Sequence, residues 1–557
     1  MVNENKFKNK LKSKLKIIHR QEEEKETQKL AVKLNLPYID LSTVPIDLHG
    51  LKIVPLKEAK ESNSVILKKF SKTLKIAVKD PNDEKTKNLL DELKNRGFTS
   101  EIFIVSQSSL ESAWKRFRVK KERRKIGKEV EITSEKIDQL EKEINTFKDI
   151  EDKLESVSKM TVTEILEIVL AGALKVDASD VHFEAEEKQI RLRFRVDGIL
   201  QDVTDFPTNL YNSILSRIKI LSELKINIHN VPQDGRFSII IGETEIEIRT
   251  SIIPAAYGEN VVLRILNPDT ISLELKDLGL EEYALEIINR ELKRPNGMIV
   301  NTGPTGSGKT TTLYAFLKSV NNPQIKVITL ENPIEYHLEG IEQTQIRPDK
   351  GYTFAIGLRA ILRQDPDVIL LGEIRDKETA GTAINAALTG HLVFTTLHTN
   401  DAAGTIPRLV DMDVNPALIP PALNLVIAQR LVRRVCVNCA EKYKPDQETL
   451  DRLKETLKTV PSNISAKYPK LDKNLTLLKA GKGCSKCNLT GYKGRIAAIE
   501  LFAIDKEMEK TIIKSPSIVE IYEAAVKRGM ITMKQNAIFK VLNKVTTIRE
   551  IERILGV

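Results

Sequence analysis

Residues 297–320 read GMIVNTGPTGSGKTTTLYAFLKSV, and this stretch decides the fold. The apolar run Met298–Val300 is typical of a short buried strand. The segment Gly303–Thr310 fits the pattern G-x-x-x-x-G-K-[ST], and a helical pattern follows it. Strand, glycine-rich loop and helix form the context in which this pattern binds phosphates. Glycines let backbone N–H groups converge on phosphate oxygens, and the helix N-terminus adds a favourable partial charge. The stretch therefore predicts a nucleotide-binding loop in an α/β domain.

The chemistry of the loop predicts a nucleotide with β- and γ-phosphates and Mg²⁺ as its metal, and we expect the nucleotide to be ATP. Lys309 reaches the β- and γ-phosphates, and the hydroxyl of Thr310 is placed to ligate Mg²⁺. The residues expected to contact the nucleotide form one continuous run: Gly303, Pro304, Thr305, Gly306, Ser307, Gly308, Lys309, Thr310 and Thr311.

Acidic residues end two further predicted strands. Glu373 comes after the apolar run Val368–Leu371, whereas Glu331 follows the run Val327–Leu330 and precedes Glu335 by four residues. An acid at such a strand end can hold Mg²⁺ through water or polarise the attacking water. We therefore predict catalytic roles for all three glutamates. Ordinary solvated strand ends are the alternative for Glu331 and Glu335.

Two histidines, His391 and His398, bracket a predicted strand, Leu392–Leu397. Seven residues apart, they do not share one helix face. A single histidine is usually structural. Two beside a parallel strand of a nucleotide-binding domain can instead sense the γ-phosphate, so both are candidate site residues.

All four cysteines occur in two Cys-x-x-Cys pairs, Cys436 with Cys439 and Cys484 with Cys487. Four thiolates suit tetrahedral Zn²⁺, and a closed Cys₄ site is structural rather than catalytic. The pairs lie further apart in sequence than is usual for such sites. Redox chemistry is the alternative interpretation.

The composition is that of an ordinary globular protein. Of 557 residues, 41% are hydrophobic and 29% charged, which excludes wholesale disorder and predicts three or four domains. The net charge of +10 is concentrated in two clusters, Lys6–Lys16 and Lys115–Lys125. These clusters form either solvated helix faces or contacts to acidic partners or lipid headgroups.

No run of residues approaches the length of a transmembrane helix, and the N-terminus has no apolar signal core. We therefore expect a cytoplasmic protein whose membrane contact is peripheral.

The chain divides by pattern into four segments. Residues 1–125 mix short helix-like and strand-like runs, which predicts a small α+β domain. Residues 126–158 carry an amphipathic pattern that indicates either a linker helix or a surface helix packed on its own domain. Residues 159–272 contain alternating strands, and residues 273–557 alternate apolar strands with helices, as in a parallel α/β sheet.

Several motifs in order resemble one family, the assembly ATPases of type II secretion systems and type IV pili. They are ITLENPIEY at 328–336, LRAILRQDPDVILLGEIRD at 358–376, TGHLVFTTLHTNDA at 389–402, ASDVHFEAEEKQIRLRFRVDG at 178–198 and the two cysteine pairs. The resemblance covers roughly residues 160–557. It implies a multidomain fold that is partly α/β and partly α+β. A RecA-like ATPase domain follows a PAS-like second N-terminal domain and a small first one, and a tetracysteine zinc subdomain occupies about 430–495.

The resemblance also implies that ATP binds between the two large domains, where arginines of the second N-terminal domain approach the phosphates. Arg195 is the best match, and a guanidinium there would neutralise charge on the γ-phosphoryl group. The further matches are Arg249, Arg264, Arg193 and Arg236, together with Arg359 and Arg363 in the ATPase domain.

One position departs from the family pattern. The acidic motif usually reads Glu-Asp-Pro, but here Asn332 follows Glu331. Asparagine has nearly the same shape as aspartate and can still donate or accept a hydrogen bond, but it cannot carry charge. We favour Glu331 as the residue that activates water, with Glu335 as second choice.

The function that the resemblance implies is a cytoplasmic hexameric ATPase. It would power the assembly of a type IV pilus or of a type II secretion pseudopilus through an inner-membrane platform protein. Residues 1–125 resemble the first N-terminal domain of the family, which docks on a membrane-associated machine protein. The arginine and glutamine motifs with which some relatives bind cyclic di-GMP are not found there. No specific nucleic acid is expected. Because the chain is basic, a DNA-translocating motor is the alternative function. A pilus retraction motor is disfavoured, because such relatives are typically shorter and lack the four cysteines.

Overall fold

The computed structural model describes residues 22–41, 53–70, 73–111, 113–114, 140, 143–144, 146–154, 160–241, 244–267, 273–514 and 517–556. The chain forms two compact units, Met1–Glu129 and Val130–Val557. The predicted basic clusters at 6–16 and 115–125 lie outside the described residues, as does most of the predicted linker at 126–158. Among the described helices, none combines the length and the apolar character that crossing a membrane requires.

In its described part, the first unit is a small α+β domain around a three-stranded sheet. Its elements are α1 Leu56–Glu61, β1 Ser64–Phe70, β2 Thr73–Val78, α2 Glu84–Asn95 and β3 Thr99–Ile104. The central strand β2 pairs antiparallel with β1 and parallel with β3. Leu74 and Ile76 pack on one face of the sheet, and Ala77 packs on the other with Trp114. Both faces of β2 are therefore buried.

The second unit begins with a domain built on an antiparallel sheet. Its elements are α3 Phe147–Leu154, α4 Val162–Lys175, β4 Ala178–Ala185, β5 Ile190–Val196, β6 Ile199–Phe206, α5 Thr208–Leu221, β7 Gln233–Ile241, β8 Thr244–Ala255 and β9 Gly258–Leu266. The described strands form a six-stranded sheet in the order β6-β5-β4-β9-β8-β7. A capping box between Thr161 and Glu164 starts α4. Along β5, Leu192 and Phe194 face the core, so Arg193 and Arg195 lie on the opposite face.

The helix α3 lies near the end of the segment 126–158, for which the sequence predicts either a linker helix or a surface helix packed on its own domain. Ile150 and Leu154 are buried in the core of the antiparallel-sheet domain. A Cβ atom added at Gly172 on α4 would lie 2.8 Å from the Ile150 side chain, so the two helices touch closely. This part of the segment is therefore packed on its own domain.

The ATP-binding pattern lies in an α/β domain. Its elements are α6 Glu282–Leu292, β10 Gly297–Thr302, α7 Lys309–Val320, β11 Val327–Glu331, β12 Glu342–Gln345, α8 Phe354–Ile361, β13 Val368–Leu371, α9 Lys377–Leu388, β14 Leu392–Leu397, α10 Thr405–Asp411, α11 Ile419–Ala422 and β15 Leu423–Val435. The elements that follow are β16 Glu441–Tyr443, α12 Gln447–Leu457, α13 Ser462–Ser465, β17 Leu477–Lys479, β18 Tyr492–Ala503, α14 Lys506–Ile512, α15 Ile518–Lys527, α16 Met533–Leu542 and α17 Ile548–Leu555.

Seven of these described strands form one sheet in the order β12-β11-β13-β14-β10-β15-β18. The pairs are parallel as predicted, except that β15 and β18 are antiparallel. The exception arises because the chain between these two long strands forms the cysteine-bearing subdomain and returns from it. The carboxyl ends of β10, β11, β13 and β14 meet at one edge, which is where open α/β sheets bind ligands.

Candidate active site

The loop after β10 has the conformation that its glycines permit. Gly303, Gly306 and Gly308 have φ values of 146°, 77° and 87°, a region that side chains disfavour. A Cβ atom at Gly303 would lie 2.4 Å from the carbonyl oxygen of Gln429 on β15, so this position also needs a residue without a side chain. Helix α7 begins at Lys309, directly after the loop. Its N-terminus is therefore aimed at whatever the loop encloses.

Lys309 folds back over its own loop. Its Nζ donates to the carbonyl oxygens of Gly303 at 2.7 Å and of Pro304 at 3.1 Å. Burial lowers the pKa of Lys309, and the negative charge of Glu373 opposes that shift. Phosphate oxygens are stronger acceptors than carbonyls for an ammonium group. A bound nucleotide would therefore draw Lys309 from these contacts.

Gln429 ties the loop to the neighbouring strand, and the sequence reasoning missed it. Its Nε2 donates to the carbonyl of Ser307 at 2.8 Å, and its Oε1 accepts from Thr312 at 2.8 Å and from Asn301 at 3.3 Å. Gln429 is only 2% exposed. A polar residue inside the apolar run of β15 was the available signal, because buried amides need partners.

Glu373 lies just beyond β13, beside the guanidinium of Arg375 and the imidazole of His398. Its carboxylate is 2.7 Å from Nε of Arg375 and 3.4 Å from Nε2 of His398, and its side chain is 12% exposed. The neighbouring Thr396 donates to the carbonyl of Gly372 at 2.7 Å, which joins β13 to β14 here. Arg375 was not predicted, although it is only two residues from Glu373. Arg375 therefore makes Glu373 a partly buried acid whose charge is compensated by a guanidinium.

Glu331, the last residue of β11, has neutral neighbours instead. It is 4% exposed and accepts hydrogen bonds from the hydroxyls of Tyr314 and Thr329 and from Nε2 of Gln343, the last at 3.3 Å. Burial raises the pKa of Glu331, against the opposing effect of these hydrogen bonds. The carboxylate is thus held in one orientation by side chains of α7, β11 and β12, of which only the glutamate was predicted.

Three arginines of the antiparallel sheet lie near the phosphate loop and the glutamates, and they have different partners. Arg249 donates to the Glu335 carboxylate and to the carbonyl of Ile334, at 2.8 and 2.7 Å. Arg264 lies 2.8 Å from Asp180 through Nε, and Arg195 lies 3.4 Å from the same aspartate. Asp180 was not predicted. It faces both arginines directly across the sheet ladder, so a single buried carboxylate orients them.

One cleft of about 470 Å³ collects most of the predicted residues. Its lining includes the loop from Thr305 to Thr311, the three glutamates, Arg264 and His398. Arg195 and Arg249 are not in the lining, but Arg249 contacts the lining residue Glu335 and Arg195 contacts Asp180. The cleft is thus formed jointly by the antiparallel-sheet domain and the parallel sheet.

The other predicted histidine does not reach this cleft. His391 precedes β14 and places its Nδ1 3.0 Å from the carbonyl of Ala386. His398 follows the same strand, whose six residues span roughly 20 Å. The two histidines therefore lie at opposite edges of the sheet, and His391 is in a position to stabilise the end of α9.

The remaining arginines matched by resemblance are bonded away from the cleft. Arg193 pairs with Glu184, Arg236 with Glu247, Arg359 with Glu378, and Arg363 donates to the carbonyl of Arg359.

A second cleft, of about 730 Å³, adjoins the first. Gly308 and Thr311 line both clefts, so the start of α7 separates them. The lining of the larger cleft is partly apolar, with Leu278 and Leu431 among its residues, and partly polar. A ligand with an anionic end and a flat, largely apolar end would fit the two together.

The four cysteines converge as predicted. The Sγ–Sγ distances are 3.8 Å between Cys436 and Cys484, 3.7 Å between Cys439 and Cys487, and 3.7 Å between Cys484 and Cys487. Four sulfurs at the Zn–S distance of 2.3 Å in a tetrahedron are about 3.8 Å apart, whereas a disulfide needs about 2.05 Å. The set therefore fits a zinc ion and not a disulfide.

Sulfur hydrogen bonds add to this fit. Cys487 Sγ accepts backbone N–H groups of Cys484 and Gly491, at 3.2 and 3.3 Å. Burial raises the pKa of the Cys487 thiol, but these amides and the neighbouring thiols outweigh it and lower that pKa to about 7. A thiolate is the form that binds metal.

Comparison with known proteins gives consistent matches. The profile of the family described as "Type II/IV secretion system protein" matches residues 155–553, and the MshEN domain matches residues 34–124. The chain is 35% identical over 538 residues to the type IV pilus assembly ATPase PilB of Myxococcus xanthus, covering 95% of this chain and 91% of that one. It is 42% identical over 404 residues to the type II secretion system protein E of Pseudomonas aeruginosa, covering 72% and 77%.

A solved structure, the Legionella pneumophila ATPase DotB, superposes with a TM-score of 0.51. The superposition covers 70% of this chain and 95% of that one at 21% identity, so it supports a shared fold and nothing finer.

Proposed function

Because the chain belongs to the Type II/IV secretion system protein family, we propose that its ATPase activity powers the assembly of a type IV pilus or of a type II secretion pseudopilus. The observation that carries the proposal is the convergence of Lys309, Glu331, Glu373 and Arg264 on one cleft. That set provides a phosphate-binding cation, two acids and an arginine, which are the groups that phosphoryl transfer to water uses.

In this proposal the phosphates lie in the smaller cleft, against the backbone amides that precede α7. Lys309 moves from its loop carbonyls to the β- and γ-phosphates. The Thr310 hydroxyl and Glu373 both line the cleft and fit the hard oxygen ligands that Mg²⁺ prefers. When bound, Mg²⁺ would neutralise charge on the β- and γ-phosphates.

Glu331 is the proposed general base. A base works best when its pKa is close to the working pH, and burial moves the pKa of Glu331 upward. Its three hydrogen-bond donors orient the carboxylate, and the residue lines the cleft. Arg264 uses Nε for Asp180, and its guanidinium is the candidate that stabilises charge on the γ-phosphoryl group.

The base and ribose of the nucleotide are assigned to the larger cleft. It continues from the smaller one past Gly308 and Thr311, and its partly apolar lining suits an adenine ring. The nucleotide would then lie between the antiparallel-sheet domain and the parallel sheet, so that binding and release change how these domains contact each other.

The wider assembly is also part of the proposal. We infer a homo-hexamer that works in the cytoplasm, acts on an inner-membrane platform protein and associates peripherally with the membrane. The first unit would dock on a membrane-associated protein of the same machine. Support comes from relatives whose names state pilus assembly or type II secretion and whose sequences align over most of this chain.

The test is Mg²⁺-dependent ATP hydrolysis by the purified full chain, with its mass followed by light scattering. We expect turnover that increases with hexamer formation and is lowered about 100-fold or more by Lys309→Ala. Lys318→Ala on the same helix, outside both clefts, is the matched control. Wild-type turnover in the Lys309→Ala variant would contradict the assigned site.

The same assay addresses the alternative function. Duplex DNA and then vesicles of anionic lipid are added to the assay. The two additions show whether the net charge of +10 serves to bind DNA or a membrane surface. Strong stimulation by DNA would favour a DNA-translocating motor, whereas indifference to DNA agrees with an assembly motor.

A further inference from the structure

The cysteine site and the larger cleft share a wall. Ser485–Cys487 form a 3₁₀ turn that directly follows Cys484 and ends at Cys487, two residues of the cysteine cluster, and residues 485–488 line the cleft. On the facing side, Gly308 and Thr311 line the same cleft from the start of α7. A segment held by the cysteine cluster is therefore across the cleft from the phosphate-binding loop.

The shape of this wall depends on one sulfur atom. The N–H groups of Cys484 and Gly491 both point to Sγ of Cys487. The hydroxyl oxygen of Thr490 lies 2.6 and 2.7 Å from the carbonyl oxygens of Cys487 and Tyr492, so its proton can be donated to either. The path from 484 to 492 is thus wrapped around Cys487, whose partner sulfur on Cys439 belongs to the other cysteine pair.

A bound metal ion would hold the segment 484–492 in this conformation. Four ligands from two distant segments are cross-linked by one ion, and ordering of the ligand loops is coupled to binding of the metal. Without the ion, the described contacts leave the turn held mainly by its own short hydrogen bonds. The turn is also followed at once by β18, which carries further residues of the cleft wall.

The antiparallel-sheet domain contacts this same wall. Asp197, in the tight turn between β5 and β6, accepts a hydrogen bond from the N–H of Gly494 at 2.9 Å and lies 3.9 Å from Nε of Arg495. Asp197 lines the larger cleft as well. A displacement of the cysteine-bearing turn would therefore alter both the wall and its contact with the other domain.

We propose that the turn 484–488 is a nucleotide-contacting wall and that metal binding by the four cysteines raises the affinity of the cleft for nucleotide. Lys486 is the side chain of the turn best suited to approach a ribose or phosphate oxygen, because it combines a cation with a flexible stem. The inference rests on the proposed function, since it takes an adenine nucleotide as the ligand. Coupling between two binding sites is reciprocal, so nucleotide must also tighten metal binding.

The experiment measures ADP affinity by calorimetry on the full chain, zinc-loaded and zinc-stripped, with zinc content determined by mass spectrometry. We expect about tenfold weaker ADP binding without zinc, within the usual range of coupling between sites. Saturating ADP should raise the zinc affinity, measured by competition with a chromogenic chelator, by the same factor. Circular dichroism melting shows whether the stripped chain is still folded.

If removal of zinc unfolds the cysteine-bearing subdomain, substitutions still test whether the turn contacts the nucleotide. Lys486→Ala leaves all four cysteines in place and should weaken ADP binding about fivefold. Lys482→Ala, an exposed lysine of the same loop outside the cleft lining, is the control and should bind ADP as the wild type does.

Two outcomes distinguish failure of this inference from failure of the proposed function. Suppose ADP binds, Lys309→Ala abolishes binding, and neither zinc removal nor Lys486→Ala changes the affinity. The inference is then overturned, and the proposed function stands. If the zinc-loaded wild type binds no ADP, both are overturned.

Discussion

The ends of β11 and β13 each place a glutamate beside the phosphate loop, yet the two carboxylates have opposite surroundings. Glu331 is buried among the neutral donors Tyr314, Thr329 and Gln343. Glu373 lies between Arg375 and His398. Burial among neutral donors raises the pKa of Glu331, whereas the guanidinium of Arg375 lies 2.7 Å from the Glu373 carboxylate and compensates its charge directly. Within the proposed function, we therefore infer that Glu331 takes the proton and that Glu373 lies near Mg²⁺.

The sharpest test of this comparison is Glu331→Gln. The amide keeps the shape of the side chain but cannot accept a proton, so kcat should fall about 1000-fold. ADP affinity and the Mg²⁺ concentration needed for half-maximal rate should stay close to those of the wild type. Steady-state kinetics and calorimetry measure these quantities. Glu339→Gln, an exposed glutamate shortly after β11, is the control. A kcat that is unchanged in Glu331→Gln would contradict its role as base.

Glu373→Gln should behave differently. We expect kcat to fall about 100-fold and the Mg²⁺ requirement to rise, because the lost charge no longer favours the cation. A Mg²⁺ titration of the ATPase rate shows the shift directly. Glu378→Gln, an exposed residue on α9, is the control. If Glu373→Gln and Glu331→Gln had identical Mg²⁺ dependences, the two strand ends would not have separate roles.

The third test changes a partner of Glu331 and not the acid itself. The hydrogen bond from Tyr314 favours the charged carboxylate and so lowers its pKa, against burial, which raises it. Tyr314→Phe removes that bond, so the pKa of Glu331 should rise further. The acid limb of the kcat profile should then move to higher pH, so that kcat is lower than in the wild type on that limb and recovers on the plateau above it.

Tyr468→Phe is the control for this shift, because Tyr468 stacks on Phe539 away from both clefts. A loss of kcat that is the same at every pH would show that Tyr314 acts on packing and not on the ionisation of Glu331.

The residues that sequence could predict here are those whose placement is local. Strand, loop and helix follow one another around Lys309. Glu331 ends β11 and Glu373 lies just beyond the end of β13, so strand order was not needed to find them. The cysteine pairs were equally accessible, because four thiols of one chain have few other uses.

The residues that were missed depend on neighbours distant in sequence. Gln429 acts on the loop because β15 lies beside β10, and Asp180 orients Arg264 and Arg195 because of the register of β4 with β9 and β5. His391 and His398 bracket β14 and were predicted alike, and only the parallel pairing of β14 with β10 shows that His398 is the one at the edge of the phosphate loop. Pairing and register are properties of the whole sheet, which a local pattern does not contain.

The smallest expected effect concerns stability. The fold raises the pKa of Glu331 above its value in the unfolded chain, so the folded state prefers the protonated carboxyl. The associated stability is fully present below the unfolded pKa and is lost as pH rises through the folded pKa. Glu331→Gln carries no charge and escapes that loss. Its melting temperature should therefore exceed that of the wild type slightly at about pH 8, and the difference should shrink toward about pH 4. Calorimetric melts of both proteins across this range measure the difference. A gap that does not change with pH would mean that the ionisation of Glu331 is not what distinguishes this strand end from that of Glu373.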